Sequence, residues 1–323
     1  MHRHRPLLLA LRALGLGDLL TSLPALRALG DAFPDHHRIL ATTPTVGDLA
    51  LHAGVADEVV PAAPLAAIPP LAAPVDVAVN LHGKGPQSHR LLLATAPRRL
   101  IAFGCAEMDL AGLPESRPVW REDEHEVHRW CRLLAESGIP ADPRRLDISV
   151  PARPVPPQAV GATLVHPGAA SPARRWPAER WAAVARAEVA AGNGVVVSGG
   201  PEELALARRV ASVAGLPASA VLAGRTTVLD LVAVVGAAAR VVCGDTGVAH
   251  LATALRRPSV VLFGPVAPSR WGPPPDRRWH ISLWTGRQGH SQSGHVDPGL
   301  LEISVDDVLR ALAHLPVTES ARA

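Results

Sequence analysis

Short apolar runs alternate along the chain with longer stretches in which apolar residues recur at helical spacing. Runs at 7–11, 38–42, 57–61, 76–81 and 99–103 predict strands in the first half, with helices over 18–29 and 125–137. A second series follows, with strands at 162–166, 194–198, near 220–222, 240–243 and 258–263. Helices at 177–190, 201–213, 227–238 and 247–255 are interleaved with them. Such alternation is the signature of parallel sheets covered by helices on both faces, so the predicted class is α/β, doubly wound. Residues 265–300, rich in Pro, Gly, His and Trp, read only as loop, and 304–315 read as an amphipathic terminal helix. The dense prolines between Pro151 and Pro157 cannot continue a helix or an inner strand and read as an interdomain linker.

Length supports the division. At 323 residues the chain is too long for one ordinary core, and two α/β domains of roughly 150 residues each are expected. A hydrophobic content of 48% excludes disorder. The formal charge of +3 is mild and no basic run is interleaved with aromatics, so no nucleic-acid partner is expected. Cys105, Cys131 and Cys243 are an odd number without CxxC spacing. That pattern fits a reducing cytosol better than a disulfide framework or a zinc site. The charged start from Met1 to Pro6 is followed by an apolar run that meets Arg12 at once and has no small-residue cleavage site, which predicts a first strand, not a signal peptide. No run approaches the ~20 apolar residues of a membrane span. A cytoplasmic protein with at most peripheral contact at the inner face of the membrane is expected.

The chemistry gathers where strands end. Val241-Val242-Cys243 breaks at Gly244-Asp245-Thr246-Gly247 and runs into a helix. The first N–H groups of a helix have no partner one turn back and sit at the positive end of its dipole, so such a junction suits a phosphate. A similar junction, Gly15-Leu16-Gly17-Asp18, follows the first strand. Asp18 and Asp245 each read either as a helix cap or as a ligand-facing carboxylate, and His250 either as a packed side chain or as a sugar or diphosphate contact. A dinucleotide fingerprint is not supported, because Leu20 occupies its third glycine position and Asp35 lies in a turn.

After the first strand of the second half, His166-Pro167-Gly168-Ala169-Ala170-Ser171 leads to Arg174-Arg175-Trp176-Pro177. Small residues allow close backbone approach, and a guanidinium fork can clamp a phosphate. Ser198-Gly199-Gly200-Pro201-Glu202-Glu203 repeats the logic with carboxylates that either complement a helix dipole or accept from a ribose diol. The run from Arg121 to His128 lacks the HExxH spacing of zinc proteases and reads as a solvated helix start. Lys84, the chain's single lysine, stands in a loop after a strand, with His82 and Arg90 nearby in sequence.

Taken in order, these elements resemble glycosyltransferase family 9, best known for ADP-heptose:lipopolysaccharide heptosyltransferases. Gly17-Asp18-Leu19-Leu20 with Pro24-Ala25-Leu26, Pro167-Gly168-Ala169, Trp176-Pro177, Gly199-Gly200 with Glu203, and Asp245-Thr246-Gly247 with His250 carry the likeness, which covers about residues 7–33, 76–103 and 162–275. The resemblance implies a GT-B architecture, two Rossmann-like domains facing a cleft. The acceptor domain would span 1–153 and the nucleotide-sugar domain 158–303, with 304–323 returning to the first domain. It implies inverting transfer of a heptose or related sugar, with neither metal nor cofactor, in cell-envelope polysaccharide synthesis. The donor would be a nucleotide-diphosphate sugar, ADP-heptose by the family's habit, and the acceptor a hydroxyl of a glycan, glycolipid or metabolite. Asp18 matches the general base. Arg174, where many members carry Lys, would stabilise the leaving diphosphate together with the N–H groups of Thr246, Gly247 and Val248. Glu203 matches the ribose contact, Thr226 lies on the adenine-side loop, and Gly17, Ser171, Asp245 and His250 complete the donor set. His82, Lys84 and Arg90 are the acceptor-binding group. A nucleotide-sugar-binding module without catalysis and an NDP-sugar epimerase on the same fold are the alternative readings.

Overall fold

The computed structural model describes residues 5–62, 67–108 and 117–316. It divides into two units at Leu146/Asp147. The first contains β1 (Leu7–Arg12), α1 (Leu16–Ala32), β2 (His37–Thr42), α2 (Pro44–His52), β3 (Glu58–Pro61), β4 (Val75–Asn80), α3 (Gln87–Leu93), β5 (Arg99–Ile101) and α4 (Glu126–Glu136). Its strands form one parallel sheet in the order β3-β2-β1-β4-β5. β1 is central and buried along its whole length, which is why it reads as a continuous apolar run. Two short helices escape the periodicity argument. Of these, α2 carries a start signal, since Pro44 stands at its first position, where a missing N–H costs nothing.

The second unit contains β6 (Thr163–His166), α5 (Ala178–Ala190), β7 (Val195–Val197), α6 (Leu204–Ala214), α7 (Val228–Ala237), β8 (Arg240–Gly244), α8 (Gly247–Ala254) and β9 (Ser259–Leu262). It continues with α9 (Pro268–Trp271), β10 (His280–Leu283), α10 (Pro298–Glu302) and α11 (Val305–His314). This sheet is also parallel, in the order β10-β9-β8-β6-β7. Its core joins Val165, Val197, Val242 and Val260 from the strands to Trp176 and Trp181, whose rings meet edge to face 5.0 Å apart.

Three expectations are corrected. Residues 265–300 hold the edge strand β10 and the short helices α9 and α10; elements of four or five residues are too brief to show a period. Near 220–222 there is a single bridge, Val197 to Val221, in place of a strand. The Pro-rich stretch lies inside the second unit, whose contacts begin at Asp147. Val308, Ala311 and Leu312 of α11 complete the second unit's own core, and Arg240 ties the helix down by donating to the Leu312 carbonyl and to Glu188. Residues 1–4 of the charged start and 317–323 of the expected tail lie outside the described residues.

The strand orders locate the chemistry. In the first sheet the chain runs outward from β1 to β3, then resumes on the other side of β1 with β4. In the second it runs from β6 to β7, then resumes on the other side of β6 with β8. The crevices at the carboxyl ends of β1/β4 and β6/β8 are therefore topological switch points, the places where doubly wound sheets hold ligands.

Candidate functional site

At the first switch point the chain leaves β1 through Ala13 and Leu14 and enters α1 with Gly15 at the N-cap. Asp18 is thus not the N-cap itself. It stands in the first turn, where its Oδ2 accepts from the Gly15 N–H (3.3 Å) and its Oδ1 from Arg12 Nη2 (3.0 Å). Its side chain is 27% exposed, whereas that of Arg12 is 1% exposed. Gly17 occupies the same turn, half-buried. Arg12 also donates from Nε to the Asp18 carbonyl (3.0 Å) and from Nη1 to the Leu81 carbonyl after β4 (2.5 Å), so one guanidinium ties both lips of the crevice.

Across the crevice, His82 Nδ1 accepts from the Ala13 N–H at 3.3 Å. Burial and the nearby Arg12 push this imidazole below the ordinary histidine range, against the pull of Asp18. It is neutral near pH 7, with its ring proton on Nε2. The loop is set by Asn80, fully buried, whose Oδ1 accepts from the His82 N–H and whose Nδ2 donates to Ser88 Oγ. Lys84 and Arg90 are not gathered here. Lys84 is exposed and bound to Glu122 at 2.8 Å, and Arg90 is exposed on α3; neither bonds to Asp18 among the described residues.

Behind Asp18 the structure corrects a second reading. The helix start at 121–128 is solvated at Arg121, Glu122, Asp123 and His128 but not at Glu126, which is buried together with Arg129 further along α4. Glu126 Oε1 accepts from Arg12 Nη2 (3.0 Å) and Trp130 Nε1 (2.9 Å), and Oε2 from Arg129 Nη1 (3.0 Å). His125 caps the helix, its Nδ1 accepting from the Val127 N–H. No group of three or more His, Cys, Asp or Glu among the described residues is placed to hold a metal ion.

At the second switch point, β8 ends at Gly244 and Thr246 is the N-cap of α8, its hydroxyl making no capping bond. Gly247 and Val248 open the helix, so their N–H groups have no carbonyl one turn back. Asp245 is again not the cap. Buried, it accepts from Arg174 Nη1 through its carbonyl (3.1 Å) and Oδ2 (3.4 Å). Burial pushes its carboxyl up while Arg174 holds it down. Arg174 ends a short 3-10 turn capped by Ser171, whose hydroxyl accepts from the Ala173 N–H. Its Nε is buried and has no protein acceptor among the described residues. His250 lies in α8 with its ring edge to face against Trp271 at 6.0 Å.

The neighbouring strand end supplies a carboxylate. Glu203 Oε2 accepts from the Gly200 N–H at 2.8 Å and lies 3.8 Å from His166 Nε2. Burial pushes His166 down, with Glu203 opposing, and its Nδ1 pairs with Ser198 Oγ at 3.0 Å. A Cβ at Gly168 would stand 2.0 Å from Glu203 Oε1, so that glycine makes room for the carboxylate. Gly168→Ala should displace Glu203 and cost about 1–3 kcal/mol by overpacking; a melting curve with and without nucleotide checks it, and unchanged nucleotide stabilisation would detach Glu203 from binding. Thr226 is half-buried on a loop joined to the same strand end by Gly224 N–H to the Gly199 carbonyl.

Sequence reasoning thus found Arg174, Asp245 and the α8 junction as neighbours and missed Arg12, Glu126, Trp130 and His166. The signal for Arg12 was a lone charge closing an otherwise apolar strand.

Comparison with known proteins adds three likenesses. A model of glycosyltransferase family 9 (heptosyltransferase) matches residues 79–295. The lipopolysaccharide heptosyltransferase 2 of Escherichia coli K12 is 35% identical over 104 residues, a stretch that is 31% of this chain and only 30% of that protein. Two solved structures align over nearly all of the chain. One, of a family 9 glycosyl transferase from Veillonella parvula, has TM-score 0.74 at 18% identity and covers 97% of each chain. The other, of E. coli ADP-heptose lps heptosyltransferase II, has TM-score 0.75 at 19% identity and covers 95% of this chain and 97% of that one. At such identities they show the fold, which is GT-B.

Proposed function

The chain belongs to glycosyltransferase family 9, and from that premise we propose that it transfers a heptose or related sugar from a nucleotide-diphosphate donor, ADP-heptose, to a hydroxyl of a cell-envelope glycan or glycolipid. The observation that carries the reading is Arg174 at the β6/β8 switch point, held by Asp245 through Nη1 with 25% of its side chain exposed. A diphosphate oxygen can meet the exposed part of that side chain, and the first N–H groups of α8 offer it further donors.

In this reading the acceptor oxygen attacks the anomeric carbon while the bond from that carbon to the diphosphate oxygen breaks. The configuration inverts, the nucleoside diphosphate leaves with the electron pair, and the acceptor's proton passes to Asp18. Arg174 and the α8 N–H groups neutralise the departing charge, which assigns them the work a metal ion does elsewhere. Asp245 serves chiefly to aim Arg174. Glu203, supported at the end of β7, takes the ribose hydroxyls, with Thr226 toward the base. His82 offers Nε2–H to the acceptor.

Thermal stabilisation by ADP, UDP, GDP and dTDP, with transfer assayed in the presence and absence of EDTA, tests this. A ligand confined to the folded state at 100 times its Kd adds about 2.7 kcal/mol of stability. ADP should stabilise most and EDTA should leave turnover intact. Preference for another nucleotide would overturn the donor, and loss with EDTA the metal independence. Conversion of the donor without any acceptor would favour the epimerase reading instead.

A further inference from the structure

Asp18 is the outer end of a buried chain of alternating charge. Asp18 Oδ1, Arg12 Nη2, Glu126 Oε1 and, through Oε2, Arg129 Nη1 follow one another at 3.0 Å per step. A single nitrogen of Arg12 serves both carboxylates. The guanidinium cannot turn away, since its other donors are spent on the Asp18 and Leu81 carbonyls and its face lies 4.8 Å from the Trp130 ring. Exposure rises only at the Asp18 end: side-chain values are 27% there against 1% for Arg12, 8% for Glu126 and 4% for Arg129.

A merely structural ion pair has no reason to terminate at a half-exposed carboxylate in a switch-point crevice. We propose that Glu126, held by Trp130 and Arg129, is a positioning residue for sugar transfer: through Arg12 it fixes the direction of the Asp18 carboxylate and shares the cation that would otherwise pair with Asp18 alone. The proposal rests on the reading of Asp18 as that base. The physical argument is competition. Arg12 alone would orient Asp18 and also concentrate its positive charge on that one carboxylate. Glu126 draws on the same cation in surroundings where screening by water is weak. Arg129, donating to Glu126 Oε2, holds the second carboxylate in place opposite Arg12 so that the competition persists. Among the described residues, the charged and titratable groups facing Asp18 are Arg12 from β1 and His82 from the loop after β4, with Glu126 and Arg129 of α4 acting through Arg12.

The test is the pH dependence of kcat in the full-length protein with a nucleotide-diphosphate sugar donor, alongside nucleotide affinity. Glu126→Gln keeps the shape and removes the competing charge. Its acidic limb should move down by about one pH unit and its plateau fall about tenfold, with nucleotide affinity unchanged. Glu126→Asp, which restores the charge, should return the limb toward its original position. A folded Glu126→Gln protein with the original limb and plateau overturns the proposal. If melting curves show that variant unfolded, Trp130→Phe decides. It removes one donor from Glu126 and should shift the limb upward, and an unmoved limb with unchanged kcat overturns the proposal equally. Asp18→Asn separates the two levels. If it retains turnover, the reading of Asp18 fails first; if it loses turnover while the Glu126 variants behave as the original, only the role of Glu126 fails.

Discussion

Asp18→Asn should lower kcat for sugar transfer by about 10²- to 10⁴-fold, the range a positioned general base contributes, while nucleotide affinity stays near its original value. The substitution keeps the shape of the side chain but leaves an amide that cannot accept the acceptor's proton. It also has a small structural cost that can be foreseen. The carboxylate accepts from both Arg12 Nη2 and the Gly15 N–H; an amide can accept at only one oxygen and must turn an N–H₂ toward the other donor. Losing one such bond to a charged group costs about 1.5–3 kcal/mol, less than the ~5–15 kcal/mol that holds a typical domain folded. Transfer measured with donor in excess, beside nucleotide titration on the same sample, checks the prediction. Turnover near the original rate would remove Asp18 from the mechanism.

Arg174→Met should lower kcat by about 10²- to 10³-fold, as removal of one preorganised donor to a developing anion does elsewhere, and should also weaken diphosphate binding. The two effects arise differently. Nucleotide affinity falls because a cation facing the diphosphate is gone; kcat falls further because charge on the leaving oxygens grows as the bond breaks. Asp245 adds a second consequence. Burial already pushes its carboxyl up and Arg174 is what pulls it down, so without the guanidinium Asp245 should take up a proton more readily. Arg174→Lys restores the charge but not the fork that spans the Asp245 carbonyl and carboxylate. It should recover only part of the rate. Equal kcat in the original protein and in Arg174→Met would place the diphosphate elsewhere.

Much of this frame was legible in the sequence because buried parallel strands are short apolar runs and the glycine-rich junctions interrupt them abruptly. The βα order and the junction at Gly244-Asp245-Thr246 follow from that contrast. What stayed hidden depends on distance along the chain. Arg12 meets Glu126 across 114 positions, and no local pattern announces the pairing. Glu126 was read as solvated because it closes a run whose earlier members, Arg121, Glu122 and Asp123, are indeed exposed. The amphipathic character of α11 was visible, but a stripe of apolar residues does not say which surface will receive it. At both junctions the acidic residue was one or more places away from the true N-cap, Gly15 or Thr246, since several residues near a helix start can satisfy the same orphan donors.

Arg12 is rooted in the central strand of its sheet, and Arg174 is braced against the residue that follows β8. Lys84, Arg90 and Thr226 have no such footing; they stand on loops or on a short helix at the rim. On the proposed function, reaction and selectivity are therefore under unequal constraint. Replacing Arg12 or Arg174 removes a side chain that ties elements of the fold together, whereas the rim can be rewritten without repacking a strand. On the proposed function, ligand preference can drift at such positions while Arg12 and Arg174 keep the places the fold gives them.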